Sequence, residues 1–134
     1  MLAKTIEYED FNGLMRKETF YFHLSEAELM EMELTTEGGL TATYQKIVDA
    51  KDVPSLVKIF KDLIFKSYGE KSADGRQFNK SEALSLAFSH TNAYNKLFME
   101  LAMDSEKAAN FLKGIMPDNI SSEMDKQNLP ATIQ

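Results

Sequence analysis

Apolar and polar residues alternate along the first part of the chain, in two successive runs that span residues 2–10 and 16–24. A period of two residues is typical of a β-strand with one buried face. The apolar positions that share a face within these runs are Leu2, Ile6, Tyr8, Phe20, Phe22 and Leu24. The pattern therefore predicts two half-buried strands.

The dipeptide Asn12-Gly13 between the two runs indicates that they form a hairpin. A two-residue loop would set Ile6 opposite Thr19 and so join the apolar face of one strand to the polar face of the other. A three-residue loop with Gly13 in the left-handed conformation sets Thr5 opposite Thr19 and keeps the faces matched. We therefore predict the three-residue loop, in a hairpin whose two open outer edges must pack on helices or pair with another subunit.

After the hairpin, the apolar spacing changes to that of a helix, and Ser25 carries the signals of a helix start. Glu28 lies three residues later, where its side chain can return a hydrogen bond to the capping residue. Leu24 and Leu29 lie at the spacing of a hydrophobic staple. The first helix is therefore predicted to begin at Ser25 and to stop before Gly38-Gly39.

Two further helices are predicted before a polar loop at residues 70–80, which carries the turn Asp74-Gly75. The second helix has the apolar stripe Leu40, Tyr44, Ile47 and Val48. The third is capped by Asp52 and followed by Gly69. Its inward positions are Leu56, Val57, Phe60, Leu63 and Ile64.

Two or three helices are predicted after this loop, beginning at Ser81, at Thr91 or Asn92, and at Asp104 or Ser105. The last is predicted to end at Gly114. Their apolar positions are Leu84, Ala87 and Phe88, then Tyr94, Leu97, Phe98 and Leu101, then Ala108, Phe111 and Leu112. The sequence thus predicts an α+β fold, mostly α, with the hairpin (residues 2–24) packed on a bundle of about five to six helices (residues 25–116). Residues 1–117 form one domain in this interpretation, and the polar residues 118–134 a flexible tail.

The composition narrows the possible functions. A net charge of -6 argues against nucleic acid as the main partner, because binding to phosphates requires clustered Lys and Arg. The absence of cysteine excludes disulfides and sulfur-based zinc sites and fits the cytosol. No apolar stretch approaches the length of a membrane span, about 18 residues. We therefore expect neither nucleic acid nor a membrane as a partner.

Candidate metal and catalytic residues are few. If Gly75 is aligned with the glycine of a calcium-binding loop, Glu70 and Ser81 occupy the positions that require Asp and a bidentate Glu. His23 and His90 each lack a second metal-binding residue at a recognised spacing. The sequence therefore predicts no metal, no cofactor and no enzymatic activity.

The methionines offer a candidate binding surface, because their flexible side chains adapt to irregular apolar partners. Tyr94, Leu97, Phe98 and Leu101 share the core-facing stripe of one helix, and Met99 and Met103 form a second stripe beside it. Met30 and Met32 of the first helix are predicted to extend this surface, the alternative being that the methionines fill the core. The residues predicted for self-association through the hairpin are Ile6, Tyr8, Phe20 and Phe22.

Four segments together resemble the tail assembly chaperone family of long-tailed siphovirus phages and prophages of Gram-positive bacteria. The resemblance extends from about residue 5 to residue 117. The segments are TIEYEDFNG, RKETFYFHLSEAELMEMEL with the following Gly-Gly, YGEKSADGRQFNKSE, and AYNKLFMELAMDSEKAANFLKGIMP.

The resemblance implies a protein that binds the tape measure protein, keeps it soluble, helps to recruit tail tube subunits and is absent from the mature virion. The major tail tube protein is then a further candidate partner, the location is the host bacterial cytoplasm, and a homo-oligomer is expected. The main alternative is a small phage-encoded regulator or inhibitor of a host protein, and a third is a component retained in the virion. Gene order would separate the first two, and mass spectrometry of particles would test the third.

Overall fold

The computed structural model describes residues 1–35, 42, 44, 45, 47, 49 and 53–117. In chain order its elements are β1 (Leu2–Glu9), β2 (Met15–Phe22), α1 (Glu26–Thr35), α2 (Val53–Ser67), β3 (Tyr68–Lys71), β4 (Phe78–Asn79), α3 (Glu82–Ser89), α4 (Asn92–Met103) and α5 (Ser105–Ile115). The described positions between 42 and 49 are also helical. The predicted class, an N-terminal hairpin followed by a mostly helical part, is confirmed.

The hairpin has the predicted register, in which Thr5 lies opposite Thr19 and their hydroxyl groups are 2.9 Å apart. The Asp10 N–H donates to the Leu14 carbonyl at 2.8 Å, which closes a loop of three residues. Gly13 within this loop has a φ of 81°, in the left-handed region that disfavours side chains. The three-residue loop predicted from the matching of faces is therefore confirmed.

The prediction of a polar loop over residues 70–80 is wrong in part. The turn at Asp74-Gly75 is present, with a φ of 76° at Gly75, but a short antiparallel hairpin of β3 and β4 flanks it. Gly69 follows the end of α2 at Ser67, as predicted, and also lies within β3. A Cβ on Gly69 would be 2.8 Å from the carbonyl oxygen of Asn79, so the glycine permits the close approach of the two strands.

The second hairpin also changes the edges of the first. β3 pairs with the outer side of β2 at Tyr21 and Phe22, which gives a sheet with the strand order β1-β2-β3-β4. One of the two edges expected to be open is therefore partly covered. The outer edge of β1 has no strand partner among the described residues.

The start of α1 has both hydrogen bonds of a capping box. The Glu28 N–H donates to Ser25 Oγ at 3.1 Å, and the Ser25 N–H donates to Glu28 Oε1 at 2.9 Å. Leu24 and Leu29, the predicted staple, are both buried. α1 ends at Thr35, and the predicted stop at Gly38-Gly39 lies outside the described residues.

The core lies between the sheet and the helices, with Phe88 among four aromatic rings. Its ring stacks on Tyr68 with a centroid distance of 4.3 Å and also meets Phe20, Phe22 and Tyr94. Most of the predicted apolar stripes are buried. They include Tyr44, Ile47, Leu56, Phe60, Leu63, Ile64, Leu97, Leu101, Ala108, Phe111 and Leu112.

Three details of the helical predictions are wrong. Val57 is 41% exposed and Ala87 is exposed, because each lies at the border of its apolar stripe. Gly114 lies inside α5, where a Cβ would be 3.1 Å from Leu2 Cδ1, so the glycine gives β1 room to pack on the helix. Four of the predictions fall outside the described residues, namely those on Leu40, Val48, Asp52 and residues 118–134.

Candidate functional site

An open groove with a volume of about 1200 Å³ runs between β1 and α4. Six consecutive residues of β1, Lys4 to Glu9, line one wall, and Met99 and Met103 belong to the other. Successive side chains of a strand point to opposite faces, so a surface that meets all six lies along the edge of the strand. We call this feature the β1 groove, defined by residues 4–9, Lys17, Asn92, Asn95, Lys96, Leu97, Met99, Glu100, Met103, Asp104 and Lys107.

The sequence of α4 explains its wall of the groove. The Thr91 side chain accepts a hydrogen bond from the Tyr94 N–H and caps the helix. Leu97 is 1% exposed, whereas Met99 is 52% and Met103 is 79% exposed. The helix therefore has the two stripes predicted from its periodicity, one in the core and one in solvent beside β1.

The hydrogen-bonding pattern of the hairpin shows which backbone groups face the groove. The bond from the Asp10 N–H to Leu14 makes these residues a hydrogen-bonded pair, and such pairs alternate along an antiparallel ladder. The even-numbered residues of β1 therefore face β2, and the N–H and C=O groups of Thr5, Glu7 and Glu9 point outward. The Glu9 carbonyl accordingly accepts a hydrogen bond from Asn92 Nδ2 at 2.8 Å.

Polar contacts fix the distance between the walls of the groove. Glu100 of α4 accepts from Lys4 Nζ at 2.9 Å and lies 3.6 Å from Lys107 Nζ, so β1, α4 and α5 meet at one carboxylate. At the other end, Asn92 bonds to the β1 backbone. Between these two ties, the outward backbone groups of Thr5 and Glu7 have no backbone partner among the described residues.

The solvent-facing side of β1 is acidic. Glu7 and Glu9 lie on this face with Thr5, and all three are exposed. Lys17 on β2 lies 3.6 Å from Glu7, an exposed pair of little energetic weight. Glu9 lies opposite Met15, which provides no charge. The positions directly beside Glu7 and Glu9 therefore favour basic side chains, whereas over the whole groove four lysines (Lys4, Lys17, Lys96 and Lys107) balance four acidic residues (Glu7, Glu9, Glu100 and Asp104).

The predicted partner-binding residues are not all in one place. Met99 and Met103 lie together in the β1 groove, but Met30, 69% exposed on α1, is not among the residues that line it. The Met32 side chain lies outside the described residues. The proposed continuation of the surface from α4 to α1 thus has no support in the groove itself.

The residues predicted for self-association lie mainly in the core. Ile6, Tyr8 and Phe22 are buried, and Phe20 is partly buried against the same cluster, so their side chains do not offer an external surface. The alternation that identified these residues selects the inward face of the hairpin, because that face packs on the helices. The pKa of the Tyr8 hydroxyl is raised by its hydrogen bond to Glu18.

A different part of the hairpin is apolar and exposed. Phe11 is 77%, Leu14 is 60% and Met15 is 69% exposed, and we call these three residues the hairpin tip. Asp10 holds the loop beneath them, since its carboxylate accepts from the Asn12 and Leu14 N–H groups at 2.9 and 3.0 Å and from Arg16 at 2.6 Å. The Arg16 bond is the main reason that the pKa of Asp10 is lowered. The sequence signal for this surface was the presence of apolar residues in and beside a turn, which the periodicity of the strands does not indicate.

Other chemical features of the described residues are limited. Among them, no three His, Asp or Glu side chains lie close enough together to hold a metal ion. Burial lowers the pKa of His23, whose Nδ1 is buried without a hydrogen-bond partner in the described part of the chain. Within that same part, no helix combines the length and apolar character needed to cross a membrane.

Comparison with known proteins gives one match. A family model described as phage tail assembly chaperone matches residues 1–134, the whole chain. No curated protein and no solved structure matches. The family indicates a non-enzymatic role among phage tail proteins, in line with a surface that offers exposed methionines beside an open strand edge. The chain belongs to the phage tail assembly chaperone family.

Proposed function

We propose that this chain is the chaperone of the tape measure protein in a siphovirus or prophage of a Gram-positive host. It binds that protein in the host cytoplasm, keeps it soluble, helps to recruit tail tube subunits and is absent from the mature virion. The exposed methionine pair of α4 beside the β1 groove supports this proposal most directly. A long apolar client requires adaptable apolar surface that the free chaperone leaves uncovered.

The division of α4 into two stripes supports placing the client at this groove. Leu97 and Leu101 are at most 2% exposed and hold the helix in the core. Met99 and Met103, four residues apart, lie on one side of the helix and are at least 52% exposed. A client can therefore cover the methionines without disturbing the core that supports them.

We also propose that the chain self-associates through its hairpin. The hairpin tip is the apolar part of the hairpin that a second copy can reach, because Ile6, Tyr8 and Phe22 are buried. The Asp10 carboxylate fixes the loop, so little conformational entropy is lost when Phe11 and Leu14 become buried in a contact. Light scattering should show a mass that rises with concentration, and Phe11→Ser should reduce it. A strictly monomeric mass at high concentration would contradict this part of the proposal.

The proposed function is tested by expressing the chain together with fragments of the tape measure protein encoded beside it. The expected result is that these fragments remain in the soluble fraction and co-purify with the chaperone, whereas without it they aggregate. Mass spectrometry of purified virions should detect the tape measure protein and not the chaperone. Aggregation of every fragment in the presence of the chaperone would overturn the proposal, and the chaperone's presence in virions would make it a structural component.

A further inference from the structure

We propose that the β1 groove binds an extended segment of the client, which adds to the sheet as a strand along β1. In this arrangement its apolar side chains lie over Met99 and Met103, and its basic side chains lie opposite Glu7 and Glu9. This inference rests on the proposed function, since it names the conformation and the charge of the segment bound at the same groove.

The free edge of β1 offers a regular set of hydrogen-bonding groups. The N–H and C=O groups of Thr5 and Glu7 point into the β1 groove, about 7 Å apart along the strand. A helix laid over this edge would cover these groups without satisfying them, and each buried group left without a hydrogen bond would weaken the binding. An added strand bonds to all four groups. Backbone pairing therefore favours an extended occupant over a helical one.

The side chains around the edge specify what the occupant carries. α4 packs against the inward face of β1, where Leu97 shares the core with Ile6, and its exposed methionines extend beyond the strand. The inward positions of an added strand meet Met99 and Met103 and should be apolar. The outward positions meet Glu7 and Glu9, which favour Lys or Arg.

The charge of β1 also argues against a second copy of the chain as the occupant. Pairing of two β1 strands would bring the Glu7 and Glu9 of both copies onto one face, between molecules that each carry a net charge of -6. A segment that alternates apolar and basic residues neutralises the same face. The groove therefore matches a basic extended peptide better than it matches β1 itself.

The binding experiment uses a synthetic nine-residue peptide of alternating valine and lysine as the probe. A second peptide with glutamate in place of lysine is the charge control. We expect the lysine peptide to bind at least about tenfold more tightly, which corresponds to roughly 1.4 kcal/mol. In hydrogen exchange, it should protect the Thr5 and Glu7 amides, which face the groove, while Lys4 and Ile6 are protected with or without it. Equal affinity for the two peptides, or no protection of Thr5 and Glu7, would overturn the inference.

A matched pair of variants tests the edge directly. Thr5→Pro removes an N–H that points into the β1 groove, and proline is tolerated where an edge N–H faces solvent. Thr19→Pro is the control, because it removes an outward N–H from the other edge of the hairpin, at a position of β2 that does not pair with β3. Both variants lose the contact between the Thr5 and Thr19 hydroxyl groups. Thr5→Pro should weaken peptide binding at least about tenfold, through loss of a hydrogen bond and obstruction by the ring, and Thr19→Pro should leave it unchanged. Equal effects of the two variants on peptide binding would contradict the inference. If Thr5→Pro does not fold, the protection of the Thr5 and Glu7 amides in the original chain decides the question.

The same experiments distinguish a client strand from other occupants of the β1 groove, and they distinguish failure of this inference from failure of the proposed function. Protection of Thr5 and Glu7 without peptide that rises with protein concentration would identify a second copy, and protection independent of concentration would identify a segment of the chain itself. Either result overturns the inference. If Thr5→Pro keeps a tape measure fragment soluble as well as the original chain does, strand addition is wrong and the proposed function stands. If the original chain keeps no fragment soluble, the proposed function fails whatever the peptide does.

Discussion

Lys80 Nζ donates to both carboxylate oxygens of Glu28, each at 2.7 Å, and so joins the end of the second hairpin to the first turn of α1. The same ammonium group donates to the carbonyl oxygens of His23 at 2.6 Å and Lys66 at 3.0 Å. One side chain thus connects the segment after β2, the last turn of α2 and the start of α1. Because these segments are distant in the sequence, the contact stabilises their tertiary arrangement.

Lys80→Gln should lower the free energy of unfolding by roughly 1–2 kcal/mol, because it removes charge-assisted hydrogen bonds from a side chain that is only 19% exposed. The matched control is Lys17→Gln, which breaks the pair with Glu7 at a side chain that is 69% exposed. That control should cost less than about 0.5 kcal/mol. Urea unfolding of the two variants measures the difference, and equal losses would show that Lys80 is an ordinary surface lysine.

The Glu28 carboxylate should make this stability depend on pH. Burial alone would raise its pKa, but the hydrogen bonds from Lys80 and Ser25 outweigh burial, so the pKa lies below its ordinary value. A carboxylate with a lowered pKa stabilises the folded state above its unfolded pKa, about 4.3, and loses this contribution as the pH falls through the folded pKa. The stability difference between the original chain and Glu28→Gln should therefore shrink below about pH 4. A difference that stays constant into strong acid would argue against the ion pair.

The hydroxyl of Ser25 should be worth about 1 kcal/mol, because it accepts the Glu28 N–H and completes the capping box. Ser25→Ala removes this acceptor. Ser25→Thr keeps it and is the matched control, with little expected loss. Thermal melts of both variants measure the effect, and an Ala variant as stable as the Thr variant would mean that the cap contributes nothing to the fold.

Two glycines with similar close contacts should respond differently to alanine. At Gly69 the added Cβ meets the Asn79 carbonyl oxygen at 2.8 Å, which cannot move without shifting β4, so Gly69→Ala should cost about 2 kcal/mol. At Gly114 it meets the flexible end of Leu2 at 3.1 Å, inside a helix that alanine favours by about 1 kcal/mol. Gly114→Ala should therefore be close to neutral. The reverse order in urea unfolding would refute this account of the two contacts.

Local patterns were sufficient for the hairpin register and the helix starts. Matching of faces selected the loop around Gly13, and Ser25, Ser81 and Thr91 cap the helices predicted to begin there. In each case the residues that determine the geometry lie within a few positions of one another. A short stretch of sequence therefore contains all the residues that form each turn or helix cap.

Features that depend on distant segments were not predictable in this way. The strands β3 and β4 have four and two residues, too few to show a period of two. Their pairing relies on β2 and on the room beside Gly69, which no local pattern reveals. At the candidate site, local patterns predicted both the exposed Met99 and Met103 and an open edge of the hairpin, but the position of that edge opposite the methionines follows from the packing of α4 beside β1. The inward face of the hairpin was identified from its alternation, and its residues Ile6, Tyr8 and Phe22 are buried, so self-association through the hairpin stays a prediction.

The methionine stripe of α4 gives the most direct test of where the client binds. Replacing Met99 and Met103 together by Gln should leave helix content and thermal stability nearly unchanged, because both side chains are at least 52% exposed and Gln retains length and helix propensity. The same change removes apolar contact area from the β1 groove, so co-purification with tape measure fragments should fall strongly.

The control for this variant is Leu86→Gln on α3, a residue that is 49% exposed and does not line the groove. It removes exposed apolar surface at another place and should leave co-purification unchanged. Equal losses from both variants would mean that the client responds to general surface apolarity, and no loss from either would place the client elsewhere on the domain. Unfolding of the double variant would show that the methionines stabilise the core. Selective loss from the double variant, with circular dichroism and melting unchanged, is the result expected if the client lies in the β1 groove, because both methionines line that groove.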